Sequence, residues 1–128
     1  MDWYKFFTIT IRHFEAVPDI VPGLSSWCAW TTFDRLERDS EYWSAPLPKE
    51  DELIKEFGMR DGGMWGQPFP FSSLAHVIIP RKFSWEALID KSLEFGVHEQ
   101  DIEGLSVKLE AADIPHNLST YALDVKLY

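Results

Sequence analysis

Apolar and polar residues alternate along 3–13, with Trp3, Phe7, Ile9 and Ile11 on one side and Thr8, Thr10 and Arg12 on the other. A period of two carried by aromatic and β-branched residues predicts a strand with one buried face. Pro18 and Pro22-Gly23 then break the chain into a loop. Over 26–36, Trp27, Trp30, Phe33 and Leu36 recur every third position, a spacing that drifts around a helix. Trp and Thr favour extended backbone, so this segment is also predicted as a strand. Residues 48–57 predict a short helix: Pro48 suits its first position, Glu50, Asp51 and Glu52 match its positive end, and Gly58 ends it.

Further along, the four glycines and two prolines of 58–72 predict a loop, and 74–79 is an apolar run of strand length closed by Pro80. Residues 85–95 predict a helix, with Ser84 as N-cap, Phe83 and Leu88 as a hydrophobic staple, and Trp85, Leu88, Ile89 and Leu93 as the buried stripe. The stretch 101–112 fits both periods. Its Leu, Lys, Glu and Ala content favours helix. Residues 120–127 alternate again and predict a final strand, with Tyr121, Leu123, Val125 and Leu127 on one face. The first and last strands carry the best patterns and are expected to be central and adjacent.

These elements predict a single α+β domain over 1–128. Its sheet is expected to be mostly antiparallel, of three to five strands, with two or three helices packed on one face. Neither an internal repeat nor a linker-like segment divides the chain. At 45% hydrophobic and 15% aromatic, its 128 residues have the means to bury a core.

Charge narrows the choice of partner. There are 21 acidic residues against 12 basic ones, net −9. Nucleic acids and anionic membranes are bound through Lys and Arg, so neither is the expected ligand. The single cysteine, Cys28, makes no internal disulfide, and the N-terminal residues lack the pattern of a signal peptide, so a cytoplasmic location is expected. Cys28 sits between Trp27 and Ala29, the setting of a structural thiol.

Candidate chemistry is sparse. The glycines of 58–66 lack the spacing of phosphate-binding loops, and no nucleophile elbow is present. His13, His76, His98 and His116 are far apart in sequence, which does not predict a metal site. No catalytic residue, cofactor or metal is therefore expected. His76, in an apolar run, reads as a structural histidine.

Two features remain. Between Glu94 and Asp113 lie six acids and one base, Lys108. Glu94, Glu99, Asp101 and Glu103 are the candidates to steer and bond a basic partner. The loop 58–71 carries Trp65 and Phe69, large rigid side chains of the kind that anchor interfaces, although such loops also fold back to cap a core. A small, acidic, aromatic-rich domain without catalytic motifs resembles the immunity proteins that neutralise bacterial toxins. That resemblance implies a non-enzymatic, antitoxin-like inhibitor that occludes a basic protein. The alternative is a small-molecule-binding domain or small enzyme, with a pocket lined by Trp27, Trp30 and Trp65 and marked by a polar set such as His76 with a carboxylate. Either a monomer or a homodimer joined by an apolar patch or a strand edge is compatible with the chain.

Overall fold

The computed structural model describes residues 1–38 and 41–128. It opens with a helix, α1 (Trp3–Glu15), where the alternation predicts a strand. Trp3, Phe6, Phe7, Thr10, Ile11 and Phe14 are all buried, and their spacing is one complete face of a 3.6-residue helix. Phe6 and Phe14 complete that face and have no place in the two-residue alternation. The Asp2 carboxylate caps the helix by accepting from the Lys5 N–H at 3.0 Å.

The main sheet has the order β2-β1-β6-β10-β9, with every neighbouring pair antiparallel. Its strands are β1 (Cys28–Thr32), β2 (Trp43–Ala45), β6 (Leu74–Pro80), β9 (Asn117–Leu118) and β10 (Ala122–Lys126). The strand predicted over 26–36 stops at Thr32, whose hydroxyl accepts from the Arg35 N–H and starts α2 (Phe33–Arg38). The apolar run 74–79 and the final alternating segment are strands as predicted. The last strand lies between β6 and β9, and the first segment, being a helix, is not its neighbour. Trp30, Val77, Ile79, Leu123 and Val125 line the inner face and share one core with α1 and with α3 (Ile102–Ala111), a helix as composition predicts.

The helix predicted over 48–57 is replaced by one 3-10 turn, Glu50–Glu52, and a small sheet of β3 (Leu53–Ile54), β4 (Gly58–Met59) and β5 (Phe69–Pro70). Glu56 takes a left-handed φ of 69° between β3 and β4, which a helix cannot contain. A Cβ at Gly58 would stand 2.0 Å from the Phe69 carbonyl oxygen, so β4 and β5 approach as closely as they do only through that glycine.

The largest departure is at 82–99, where the helix predicted over 85–95 is a hairpin of β7 (Lys82–Ile89) and β8 (Ser92–Glu99). Asp90 and Lys91 both have positive φ, 50° and 66°, the requirement of a two-residue type I′ turn. Gly96 does not end a helix. The Trp85 ring covers it, and a Cβ there would meet that ring at 3.1 Å. The alternation of Phe83, Trp85, Ala87 and Ile89 outweighs the helical stripe because the strand fits both the turn and the anchoring at its root.

Candidate functional site

The β7–β8 hairpin stands out from the domain as an arm whose contacts run almost entirely between its own two strands. Paired residues place Ser84, Glu86, Leu88, Leu93, Phe95 and Val97 on one face, and Phe83, Trp85, Ala87, Glu94 and His98 on the other. Among the described residues, the ties to the body are at the root. Phe83 stacks on Trp27 at 5.9 Å, and the His98 ring lies against Phe83. Buried Gln100 clasps the junction: its carbonyl oxygen accepts from the Trp27 N–H, and its amide donates to the Trp27 and Pro80 carbonyls.

Beyond the root the apolar face is bare. Leu88 is 73% exposed, Leu93 60%, Phe95 75% and Val97 67%. Side chains that alternate correctly for a buried strand here face water, with Ser84 and Glu86 as the polar members of the same face. Glu86 lies within this face opposite Phe95, Asp90 sits at the tip and Glu99 at the root. The sequence shows the alternation but not that nothing covers it.

The predicted acidic residues divide between the arm and the body. Glu94 and Glu99 are exposed on β8, Glu94 on the face opposite the apolar row, and Glu99 is 3.7 Å from Arg81. Asp101 caps α3 by accepting from the Gly104 N–H at 3.0 Å, and its carbonyl is 3.0 Å from His13 Nε2 on α1. Glu103 is held by both terminal nitrogens of Arg81, and these bonds lower its pKa below the ordinary carboxylate value. Asp101 and Glu103 thus have work within the chain.

Trp65 and Phe69, the candidate anchors of a loop that either meets a partner or caps the core, are core residues at 8% and 5% exposure. Trp65 lies flat on Trp30 and donates its indole N–H to the Pro46 carbonyl, and Phe69 packs edge-on to both rings. Their loop closes inward because the Glu52 carboxylate accepts from the Met64 N–H at 2.6 Å while the Glu52 carbonyl accepts from the Arg60 N–H. Trp30 and Trp65 fill the space between them, so they do not face each other across a pocket.

A polar chain crosses the outer face of the main sheet. Asp124 Oδ2 is 2.6 Å from His76 Nε2, His76 Nδ1 is 2.7 Å from the Tyr42 hydroxyl, and that hydroxyl is 2.9 Å from the Tyr128 hydroxyl. With the Nε2–H tautomer, imidazole donates to Asp124 and accepts from Tyr42, so both ring nitrogens have partners. The edges of Tyr42 and Tyr128 cover the imidazole. Burial, and then the Tyr128 hydroxyl beside it, push the Tyr42 phenol up to about 12, so it keeps its proton. Cys28 is fully buried and its thiol donates to the Ala45 carbonyl; burial pushes its pKa up.

Among the described residues no three of His, Cys, Asp and Glu converge to hold a metal ion, and no helix is long and apolar enough to cross a membrane. No protein-family model, curated protein or solved structure matches this chain.

Proposed function

We propose that this chain is a protein-binding domain that docks on a basic protein through the β7–β8 arm, and that it acts as an immunity-type inhibitor by occluding that protein. The observation that carries the reading is the exposed row Leu88, Leu93, Phe95 and Val97 on a hairpin anchored at its root. Apolar side chains at the centre of such a surface supply the binding energy, and surrounding charge selects the partner. The arm carries four acids, Glu86, Asp90, Glu94 and Glu99, against Lys82 and Lys91, and with a net charge of −9 on the chain this suits a surface bearing Lys and Arg. Trp65 and Phe69 take no part, and Asp101 and Glu103 shape the root instead of meeting the partner.

The test compares the native chain with Leu93→Ser/Phe95→Ser as bait in an extract of the host, at low and at high salt. A basic protein retained by the native chain, released by salt and lost with the double variant is the expected result. Glu99→Lys is expected to weaken retention and reduce its salt dependence. Equal retention of the same proteins by the native chain and the double variant overturns the reading.

A second reading rests on Asp124–His76–Tyr42, a carboxylate, imidazole and hydroxyl in one hydrogen-bonded line. It makes the outer sheet face a small-molecule site. A thermal-shift screen in which ligands stabilise the native chain but not His76→Ala supports it, and equal shifts in both remove it.

A further inference from the structure

We infer that two copies of this chain pair edge to edge through β8, forming a four-stranded antiparallel sheet centred on Phe95. The inference starts from which backbone groups the hairpin leaves free. In a two-residue turn the flanking pair, Ile89 and Ser92, exchanges hydrogen bonds, and bonded pairs then recur at every second position. Ser92, Glu94, Gly96 and His98 therefore point their N–H and C=O groups at β7. Leu93, Phe95 and Val97 point theirs outward, along an edge that pairs with no other described strand. Such an edge is a template for another strand.

The sequence of β8 then selects the occupant. A two-fold axis through Phe95 sets Phe95 against Phe95 of the second copy and Leu93 against its Val97, and it brings Lys91, in the turn that precedes β8, to the end of the second copy's β8 at Glu99. Aromatic meets aromatic, aliphatic meets aliphatic, and opposite charges meet twice. Moving the axis to Leu93 places Phe95 against Lys91, to Glu94 sets two Glu94 side by side, to Gly96 places Leu93 against Glu99, and to Val97 places Phe95 against Glu99, so apolar and charged positions all match with the axis at Phe95. The same operation at the middle of β7 brings two Glu86 carboxylates together, which is repulsive. Within its own chain Glu99 is 3.7 Å from Arg81 and lies opposite Lys82, so Lys91 of the second copy joins two cations already beside that carboxylate. A lone hairpin is marginal in water, and pairing supplies the third and fourth strands. It uses the backbone edge and leaves the apolar face open, so it stands or falls separately from partner docking.

Sedimentation velocity of the full chain over a wide dilution series tests the pairing. The native chain is expected to pass from monomer to dimer as concentration rises. Phe95→Lys, which puts two ammonium groups at the axis, is expected to remain monomeric. Val97→Pro removes an outward N–H that β7 does not use, and is expected to weaken the dimer while the hairpin survives. Lys91→Glu and Glu99→Lys are each expected to weaken dimerisation about tenfold, and the combined swap to restore it. Hydrogen exchange reads the register directly: Leu93, Phe95 and Val97 amides gain protection with concentration, while Ser92, Glu94, Gly96 and His98 are protected throughout. An unchanged main thermal transition shows that each variant is folded. A native chain that is monomeric at every concentration overturns the inference. Dimerisation unaffected by Phe95→Lys and Val97→Pro, or a charge swap that restores nothing, overturns pairing about Phe95.

Discussion

The Trp65 indole lies on the Trp30 indole with ring centroids 3.8 Å apart and planes within 7°. This contact joins the loop before β5 to the centre of the main sheet, and it makes Trp65 a core residue. Trp65→Ala is expected to cost about 3–5 kcal/mol by removing a large buried ring. Chemical denaturation with intrinsic fluorescence measures this. A loss below about 1 kcal/mol would return Trp65 to the surface role that its loop suggests.

Gln100 makes three side-chain bonds to backbone groups of Trp27 and Pro80 while itself only 2% exposed. Gln100→Leu keeps approximate volume and leaves those groups unpaired, at an expected cost of about 1–3 kcal/mol. Exchange of the amides on β7 and β8 is expected to rise more than that of β6 and β10, because the clasp holds the arm and not the sheet. Equal changes in both regions would show that Gln100 supports the core generally.

Asp101 gives a test that separates local structure from charge. Asp101→Ala is expected to lose about 1 kcal/mol as the α3 cap disappears, whereas Asp101→Asn keeps the cap and most of the stability. Thermal melts of the two variants decide this. If both lose equally, it is the charge of Asp101 beside His13 that matters, and not the cap.

Tyr42 predicts an alkaline effect of defined sign. Its phenol titrates near 10.0 when unperturbed and is pushed up to about 12 by burial and the bond with Tyr128. The folded state therefore holds the proton more tightly than the unfolded state. The resulting stability is fully present below about pH 10 and is lost as pH rises toward 12. Tyr42→Phe is expected to flatten that part of the stability profile, measured by denaturation at a series of alkaline pH values. An unchanged alkaline slope in the variant contradicts this.

Cys28 is expected to resist thiol reagents in the folded chain and to react on unfolding, because burial disfavours the thiolate. Labelling with and without denaturant checks this, and rapid native labelling would contradict it.

The sequence by itself determined the α+β class, the apolar run of β6, the alternation of Leu123 and Val125 in β10, and the helical composition of α3. Each of these segments is decided by its own period or composition, and tertiary packing agrees with it. The helix of α1 was also legible, since Phe6 and Phe14 complete a face with Trp3, Phe7 and Ile11 that a two-residue period leaves unfilled. Tertiary structure decided 82–99, where both periods fit the residues. The Phe83–Trp27 stack and the Gln100 clasp hold the root in extended form, and the Asp90-Lys91 turn reverses the chain. It also decided which aromatic residues face water. Trp65 and Phe95 both sit in apolar patterns; Trp65 finds the Trp30 ring, while Phe95 stays exposed beyond the root of its arm. Burial depends on what arrives from elsewhere in the chain, and a linear pattern records only which residues are suited to receive it.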